Sequence, residues 1–449
     1  MEYLFSLILL ALNLFNYEHR INGILFLAVG FVLYCGLFYF CYKKSRDFMT
    51  TFLMLMCHTW AISWVNVFGA AAENLQITWF YLTGLFAFLY FVGHLNKLRK
   101  REVSPYALSL YILLAAVSIY PIIISPSRSV ALKEYIMIGF FLVLMLVALV
   151  MSETIDESKR RMIVSAYIFA VSVSCALLIF QYVYYMVFGD EIFKYSVGNY
   201  GGQLMVSSNL LMEDTSSATI MLATGVFYML ERINKKEKRV FYAFLIVLTV
   251  VGMSLTTRRT SILSLAICLV LYVPIVYKGT LKKITMMIIV TAVILVMIAY
   301  LAIARSIDSF SLLINSNGRI QNYKESFELF LAHPFGVGFD NDNLSFFFSE
   351  VIPHNTVLRW LNMGGFLFAP LMVAIFLYIF YVSYKRGYTD DFWALCCSML
   401  AMNFIPDILN ARFFVIPCML AVMSIPAKKS ARSMQPVRNK QLKVSRVNE

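Results

Sequence analysis

Two short polar motifs interrupt long apolar runs of this chain and could support chemistry. Arg258 and Arg259 stand in a tight turn between two such runs. Their planar guanidinium groups suit paired hydrogen bonds to one phosphate, although boundary arginines more often simply extend to lipid headgroups. His354 and Asn355 open another apolar run. A lone loop histidine is usually a surface residue, but an imidazole can take a proton from a hydroxyl near neutral pH.

The segment between these motifs, residues 304–355, holds further polar candidates. It contains three Lys or Arg and six Asp or Glu, so phosphate binding there would need a few converging arginines, of which Arg319 is one. Arg412 opens the last apolar run and is another candidate. Asp340 and Asp342 have the Asp-x-Asp spacing of metal-dependent glycosyltransferases. In so polar a loop that spacing more often forms a turn, so we predict no metal site.

The elements that position these residues must lie in a lipid bilayer. Of the 449 residues, 60% are hydrophobic and 14% are charged, against roughly 45–50% and about 25% in soluble domains. A span needs about 20 apolar residues, and lipid offers backbone groups no partner, so the spans must be helices. We predict an all-α polytopic membrane protein, a single domain over 1–449 with about 14 transmembrane helices. The predicted spans begin at Met1, Ile21, Met49, Ile77, Pro105, Val130, Met162, Ser216, Val240, Thr260, Ile284, Asn355, Asp391 and Arg412.

The net charge of +13 is explained by topology. Most of the Lys and Arg residues form clusters that fall on one side if the spans alternate, which is the positive-inside rule. Both termini, including a basic tail at 427–449, are therefore predicted to be cytoplasmic, and nucleic acid is not an expected partner. The eight cysteines lie in or beside apolar spans and show no disulfide framework and no metal-binding spacing.

Two outer segments exceed ordinary turns, Gly189 to Thr215 and the loop 304–355. In the second, apolar residues recur at helical spacing from Ile320 to Leu331, which predicts an amphipathic helix on the outer membrane surface. Span centres are nearly free of charge, with His58 as the main exception, and the unusual polar residues collect at the outer boundary. This distribution disfavours an ion-coupled transporter, which places charges at mid-span.

Three motifs, in order, resemble the O-antigen polymerase and O-antigen ligase superfamily of bacterial surface-polysaccharide enzymes. The resemblance covers about residues 207–426. The motifs are Thr256 to Ser261; Asn317-Gly318-Arg319 followed by Pro334 to Asn341; and Pro353-His354-Asn355-Thr356 with Leu361 and Gly364-Gly365 after it.

That resemblance implies a glycosyltransferase of the bacterial inner membrane with its active site at the periplasmic face. The donor would be a glycan on undecaprenyl diphosphate, with no metal and no cofactor. Arg259 and Arg319 would hold the diphosphate, and His354 would act as base on the acceptor hydroxyl. Arg258 and Arg412 are further candidates for phosphate contact. Supporting roles fall to Asn355, Asp340 and Glu213.

Polymerase and ligase share these motifs. The segment around Glu213 resembles the Glu-Pro-Ser segment that precedes a span in polymerases, although Asp214 replaces the proline. This segment and the span count favour a polymerase, which extends another lipid-linked repeat. A regulator of polysaccharide chain length is then a candidate partner. The alternatives are a ligase, which transfers the glycan to lipid A core, and a flippase for lipid-linked sugars.

Overall fold

The computed structural model of the chain consists of helices joined mostly by short turns. It describes residues 1–19, 23–63, 65–68, 77–94, 105–151, 155–190, 192–193, 195–200, 203–208, 215–256, 258–304, 319–348, 353–405 and 414–423. The first eight helices are α1 (Glu2–His19), α2 (Gly23–Ser45), α3 (Phe48–Thr59), α4 (Trp79–Gly93), α5 (Pro105–Val117), α6 (Ile119–Ile124), α7 (Arg128–Met151) and α8 (Glu157–Phe188). After a β-hairpin follow α9 (Thr215–Asn234), α10 (Arg239–Leu255), α11 (Arg259–Val276), α12 (Thr280–Ala304), α13 (Arg319–Ala332), α14 (Asn341–Ser345), α15 (Thr356–Lys385), α16 (Asp390–Ala401) and α17 (Val415–Met423).

These helices are those of a membrane protein. Within the described residues, α2, α7, α8, α11, α12 and α15 are long and apolar enough to cross a bilayer, and α3, α4, α10 and the pair α5–α6 are shorter apolar helices. In each predicted span the first helix begins within about five residues of the predicted start. The total of fourteen crossings stays a prediction.

One element departs from the expected all-α fold. The first long outer segment contains an antiparallel hairpin of β1 (Tyr195–Tyr200) and β2 (Gln203–Ser208), in which Tyr195 pairs with Ser208 and Tyr200 with Gln203. This hairpin was not predicted from the sequence, because its strands are short and the glycines at 198, 201 and 202 indicated an irregular segment.

Cross-helix contacts fix which helix ends lie together. Arg160 at the start of α8 bonds Glu231 at the end of α9 and Asp391 at the start of α16. At the opposite end of α16, the Met402 carbonyl accepts a hydrogen bond from the Thr356 amide at the start of α15. We call the end of the bundle with Thr356 the loop end, because loop 304–355 leads into it, and the opposite end the basic end.

The core centres on α9, which is buried along nearly its whole described length and packs against α8, α10, α11 and α16. Small and hydroxyl residues permit this close packing: a Cβ at Gly225 would lie 2.7 Å from a methyl of Val171. Beside it, the Thr224 hydroxyl lies 2.6 Å from the Tyr167 hydroxyl. Small residues and hydroxyl pairs are what allow helices to associate within lipid, where apolar surface alone gives little preference.

Side-chain caps define several helix starts. Asp47, Thr78, Asp156 and Thr389 each accept a hydrogen bond from a backbone amide in the first turn of α3, α4, α8 and α16 respectively. The long helix α8 ends at Gly189, whose φ of +72° closes the last turn. These caps satisfy amides and carbonyls that have no partner inside the helix.

The helix α13 forms where the amphipathic pattern predicts it. Its apolar residues Ile320, Phe327 and Leu331 are exposed, whereas Asn322 and Ser326 on the other face are buried against the protein. An exposed apolar face on a helix after a long polar segment fits contact with a membrane surface, although that position stays a prediction.

Candidate functional site

His354 lies where loop 304–355 enters α15, and its surroundings are fixed by backbone contacts. Asn355 caps α15, since its Oδ1 accepts a hydrogen bond of 3.0 Å from the Leu358 amide. The next residue, Thr356, donates from its amide to the Met402 carbonyl at 2.9 Å and from its hydroxyl to the Ile405 carbonyl at 3.0 Å. The histidine is half-buried on this anchored segment, as a positioned base requires.

Helix α13 is held beside the same segment. The Tyr323 hydroxyl lies 3.1 Å from the carbonyl oxygen of Asn403 and 3.4 Å from that of His354. Through this tyrosine the outer helix contacts both the start of α15 and the end of α16. Arg319, the first residue of α13, therefore belongs to an element that contacts the histidine segment, although its side chain is outside the described residues.

The glycine-rich loop that follows α13 docks into a break in α15. Gly365 has φ +66° and ψ −163°, so the helix is interrupted there and the carbonyls before it lose their helical partners. Two of these carbonyls accept hydrogen bonds from the loop: Asn362 from the Val337 amide at 2.8 Å and Met363 from the Gly338 amide at 2.9 Å. The loop motif Pro334 to Asn341, before His354, and the glycine pair Gly364-Gly365, after it, thus belong to the two sides of one contact.

Glycine is required on both sides of this contact. A Cβ at Gly336 would lie 2.4 Å from the Met363 carbonyl oxygen, and one at Gly365 would lie 2.3 Å from the Phe335 carbonyl carbon. The Phe366 amide donates to the Pro334 carbonyl at 3.0 Å, which holds the two backbones at this separation. The docked loop fixes the entry of α15 that carries His354.

Asp340 serves this docking. It is buried, and its two carboxylate oxygens accept hydrogen bonds of 3.2 Å from the amides of Ser127 and Asn343. The carboxylate thus joins the loop to the start of α7. Among the described residues, no three His, Cys, Asp or Glu side chains are grouped closely enough to hold a metal ion. The side chain of Asp342 falls outside that description.

The arginine turn forms the start of α11. Arg258 is the residue before the helix, with extended backbone and no side-chain cap, and Arg259 is its first residue; both are half-buried. The Nε of Arg258 and the hydroxyl of the fully buried Ser261 are buried without a hydrogen-bond partner in the described part of the chain. A helix start that carries a guanidinium and a buried hydroxyl is the kind of place where proteins bind anions.

The arginine turn and His354 lie at the same end of the bundle. The Tyr272 hydroxyl near the end of α11 donates to Asp390 at the start of α16 at 3.1 Å, so these helices pack antiparallel. The start of α11 is therefore beside the end of α16, which in turn bonds Thr356. Both motifs reach the loop end on helices that pack against α16.

Arg359 is a residue whose importance the sequence interpretation missed. Five positions after His354, it is among the largest fully buried side chains, and its Nη2 lies 3.2 Å from the Glu134 carboxylate on α7. This pair holds the first turn of α15 against α7. The sequence carried one signal for this pair. Glu134 and Arg359 each lie one turn inside a predicted span, at the end predicted to face outward.

A second charged cluster lies at the basic end, far from the candidate site. Arg160 bonds Glu231 at 2.8 Å and Asp391 at 2.9 Å, and all three side chains are buried. At the nearby turn after α9, hydrogen bonding from Arg161 lowers the pKa of Glu237. The cluster joins α8, α9 and α16.

The remaining predicted residues divide into two groups. Glu213 and Arg412 lie outside the described residues, so the structure does not place them. His58 is buried between the rings of Tyr3 and Phe169, with centroid distances of 5.7 and 5.4 Å. Its place in an aromatic cluster near α1 indicates a packing role apart from the loop end.

Together these features describe a many-helix membrane protein in which the arginine-bearing start of α11 and an anchored histidine lie at one end of the bundle. Residues 243–373 match the family model described as O-antigen ligase. The matched range contains the arginine turn, the docked loop and His354, and it confirms the resemblance to the O-antigen polymerase and ligase superfamily. Members of this family are glycosyltransferase-like enzymes acting on O-antigen. The comparisons with curated proteins and with solved structures gave no match.

Proposed function

We propose that the protein is a surface-polysaccharide polymerase of the bacterial inner membrane. It transfers a glycan from undecaprenyl diphosphate to a sugar hydroxyl of another lipid-linked repeat, at the periplasmic face and without a metal. The observation that carries this proposal is the anion-binding start of α11 at the same end of the bundle as the anchored His354. Such a pairing supplies both a base and a site for a phosphate leaving group.

In the proposed reaction His354 takes the proton of the acceptor hydroxyl as its oxygen attacks the anomeric carbon of the donor. The new glycosidic bond forms while the bond from that carbon to the diphosphate oxygen breaks, and the electron pair leaves on the diphosphate. Arg258, Arg259 and Arg319, with Arg412 as a further contact, hold this developing charge. Fixed cationic donors at a leaving group can replace a metal ion.

Polymerase is favoured over ligase by two features of the chain. The Glu213 segment resembles that of polymerases, and the predicted fourteen spans exceed the twelve usual for ligases. A flippase would be expected to line a central path with polar groups, whereas among the described residues the buried Asp, Glu and Arg side chains lie at the two ends of the bundle.

The histidine assignment can be tested by comparing two loop histidines. His354→Ala should lower glycan transfer by about 10²–10⁴-fold while the protein stays in the membrane, because a positioned base contributes that much. His333→Ala is the matched control, since His333 is exposed and its ring packs against that of Phe347. Near-normal polymer length from His354→Ala would remove it from the mechanism.

The phosphate assignment and the absence of a metal need separate tests. Arg259→Ala should reduce transfer as strongly as loss of the base, and Arg259→Lys should restore only part, because lysine lacks the planar fork. Purified enzyme should keep its activity in excess EDTA. A loss that added metal restores would assign Asp340 and Asp342 to a metal site.

Deletion of the gene separates polymerase from ligase. In a lipopolysaccharide-making host, loss of a polymerase should leave lipid A core with a single repeat, because ligation continues without elongation. Loss of a ligase should leave bare core and long glycans on the carrier lipid. Silver-stained gels and extracted carrier-linked glycans distinguish these patterns, and bare core with long carrier-linked chains would contradict the polymerase proposal.

A further inference from the structure

A groove of about 380 Å³ lies among α9, α10, α11 and α12, below the arginine turn. Its floor is made by buried residues of α9 and α11, including Val226, Leu265 and Leu269. Its two rims are α10 and α12, which touch each other only sparsely. The volume falls in the range of about 300–1,000 Å³ typical of ligand sites.

The groove opens sideways, between its two rims. Val247 and Val251 on α10 are 62% and 43% exposed, and Ile289 and Val296 on α12 are 49% and 68% exposed. These rim residues belong to apolar helices, so the surface they expose faces lipid. A membrane-dissolved chain can therefore enter from the side without crossing the protein core.

The lining accepts hydrocarbon and excludes polar ligands. Every lining residue is apolar except Tyr272, whose hydroxyl donates to Asp390 at 3.1 Å and accepts from the Asn234 amide group at 2.9 Å. Its hydroxyl is thus satisfied away from the groove and only the ring faces inward. Half of the lining residues are valines, whose stiff χ1 keeps the walls preformed.

The depth of the groove matches a tail that begins at the arginine turn. Along α11, Leu265 lies six residues after Arg259, or about 9 Å, and Tyr272 lies thirteen residues after it, or about 20 Å. One leaflet of hydrocarbon is about 15 Å thick, half of the bilayer core. A tail that extends inward from a diphosphate at Arg258 and Arg259 would reach this lining after about 9 Å.

We infer that the groove holds the polyprenyl tail of the diphosphate-linked donor. The inference rests on the proposed function and adds where the lipid part of the substrate lies. The apolar lining favours a hydrocarbon chain, and its position about 9 Å along α11 from the arginine turn favours one that ends in a diphosphate over the surrounding phospholipids.

A steric test fills the groove from α12. Val293→Trp projects an indole into the groove, while Leu295→Trp, the matched control, places one on the 60% exposed lipid face of the same helix. The KM for the polyprenyl donor should rise at least about tenfold in Val293→Trp, because loss of two buried CH₂ groups already gives that factor. It should stay unchanged in Leu295→Trp. Equal KM values in the two variants would contradict the inference.

Photocrosslinking gives a second measurement that does not depend on activity. Undecaprenyl diphosphate with a diazirine in its tail should label peptides containing Val250 and Val293 in the His354→Ala protein. Unlabelled undecaprenyl diphosphate should compete, and phosphatidylglycerol should not. Labelling at these residues that phosphatidylglycerol abolishes would show a phospholipid groove and overturn the inference. Specific labelling of His354→Ala, combined with an unaltered protein that transfers no glycan from this donor, would retain the groove and refute the proposed function instead.

Discussion

The contact between the glycine-rich loop and α15 can be tested with one methyl group. Gly336→Ala adds a Cβ that would lie 2.4 Å from the Met363 carbonyl oxygen, at a backbone φ of +88°. Gly279→Ala is a close control, because Gly279 has φ +92° and open space around the position of its Cβ. The two substitutions therefore share the backbone strain and differ in the steric contact.

The difference in free energy follows from that contact. An L-residue in the left-handed region costs roughly 1–2 kcal/mol, and both variants bear this. An added carbon that forces a packed backbone apart costs typically about 1–3 kcal/mol more. The loop cannot easily shift, since the amides of Val337 and Gly338 bond α15 at 2.8 and 2.9 Å. In Gly336→Ala both effects act on the loop, about 2–5 kcal/mol together, so its opening should be favoured by roughly 30–5,000-fold. Gly279→Ala strains a different turn and should leave this opening unchanged.

Hydrogen–deuterium exchange of the purified protein, followed on the peptide covering residues 334–348, measures this opening. Exchange of that peptide should accelerate in Gly336→Ala and keep its original rate in Gly279→Ala. The same exchange rate for this peptide in both variants would show that the loop is not held by the break at Gly365, and the positional argument for His354 would fail with it.

Two further predictions concern orientation and the basic end. Single cysteines are introduced at Ser345 and Lys236 in a protein without native cysteines. In spheroplasts an impermeant maleimide should label Ser345→Cys and leave Lys236→Cys unlabelled; the reverse result would overturn the predicted topology. Arg160→Met should lower the free energy of unfolding in an SDS titration by about 3–5 kcal/mol, because the buried Asp391 carboxylate loses its arginine partner and Glu231 keeps only Lys235. Adding Glu231→Gln and Asp391→Asn should recover part of that loss, and equal stability of the single and triple variants would contradict the argument.

The sequence predicted the features that depend on local pattern. Apolar runs of span length gave the helices, and the spacing from Ile320 to Leu331 gave α13. The order of Arg259, Arg319 and His354 identified the superfamily that the match over residues 243–373 supports. These signals are short-range or ordered along the chain, so one sequence carries them.

Features that depend on contacts between distant segments were not predictable. Arg359 and Glu134 are 225 positions apart, and their pairing is visible only once α7 and α15 pack together. In the sequence Arg160 resembles any other basic residue at the end of a span, and only its burial beside Asp391 distinguishes it. The break at Gly365 likewise has no local signature that separates it from an ordinary glycine in a span.

The docking of Pro334 to Gly338 onto α15 also has a consequence for biosynthesis. The ribosome makes the loop first, and the carbonyls of Asn362 and Met363 that receive it are made about 25 residues later. In a nascent chain the loop therefore has no docking partner until α15 has been made. Chains arrested before residue 362 would carry an undocked loop that proteases could cleave. Completion of the donor site thus waits for insertion of the helix that carries the histidine.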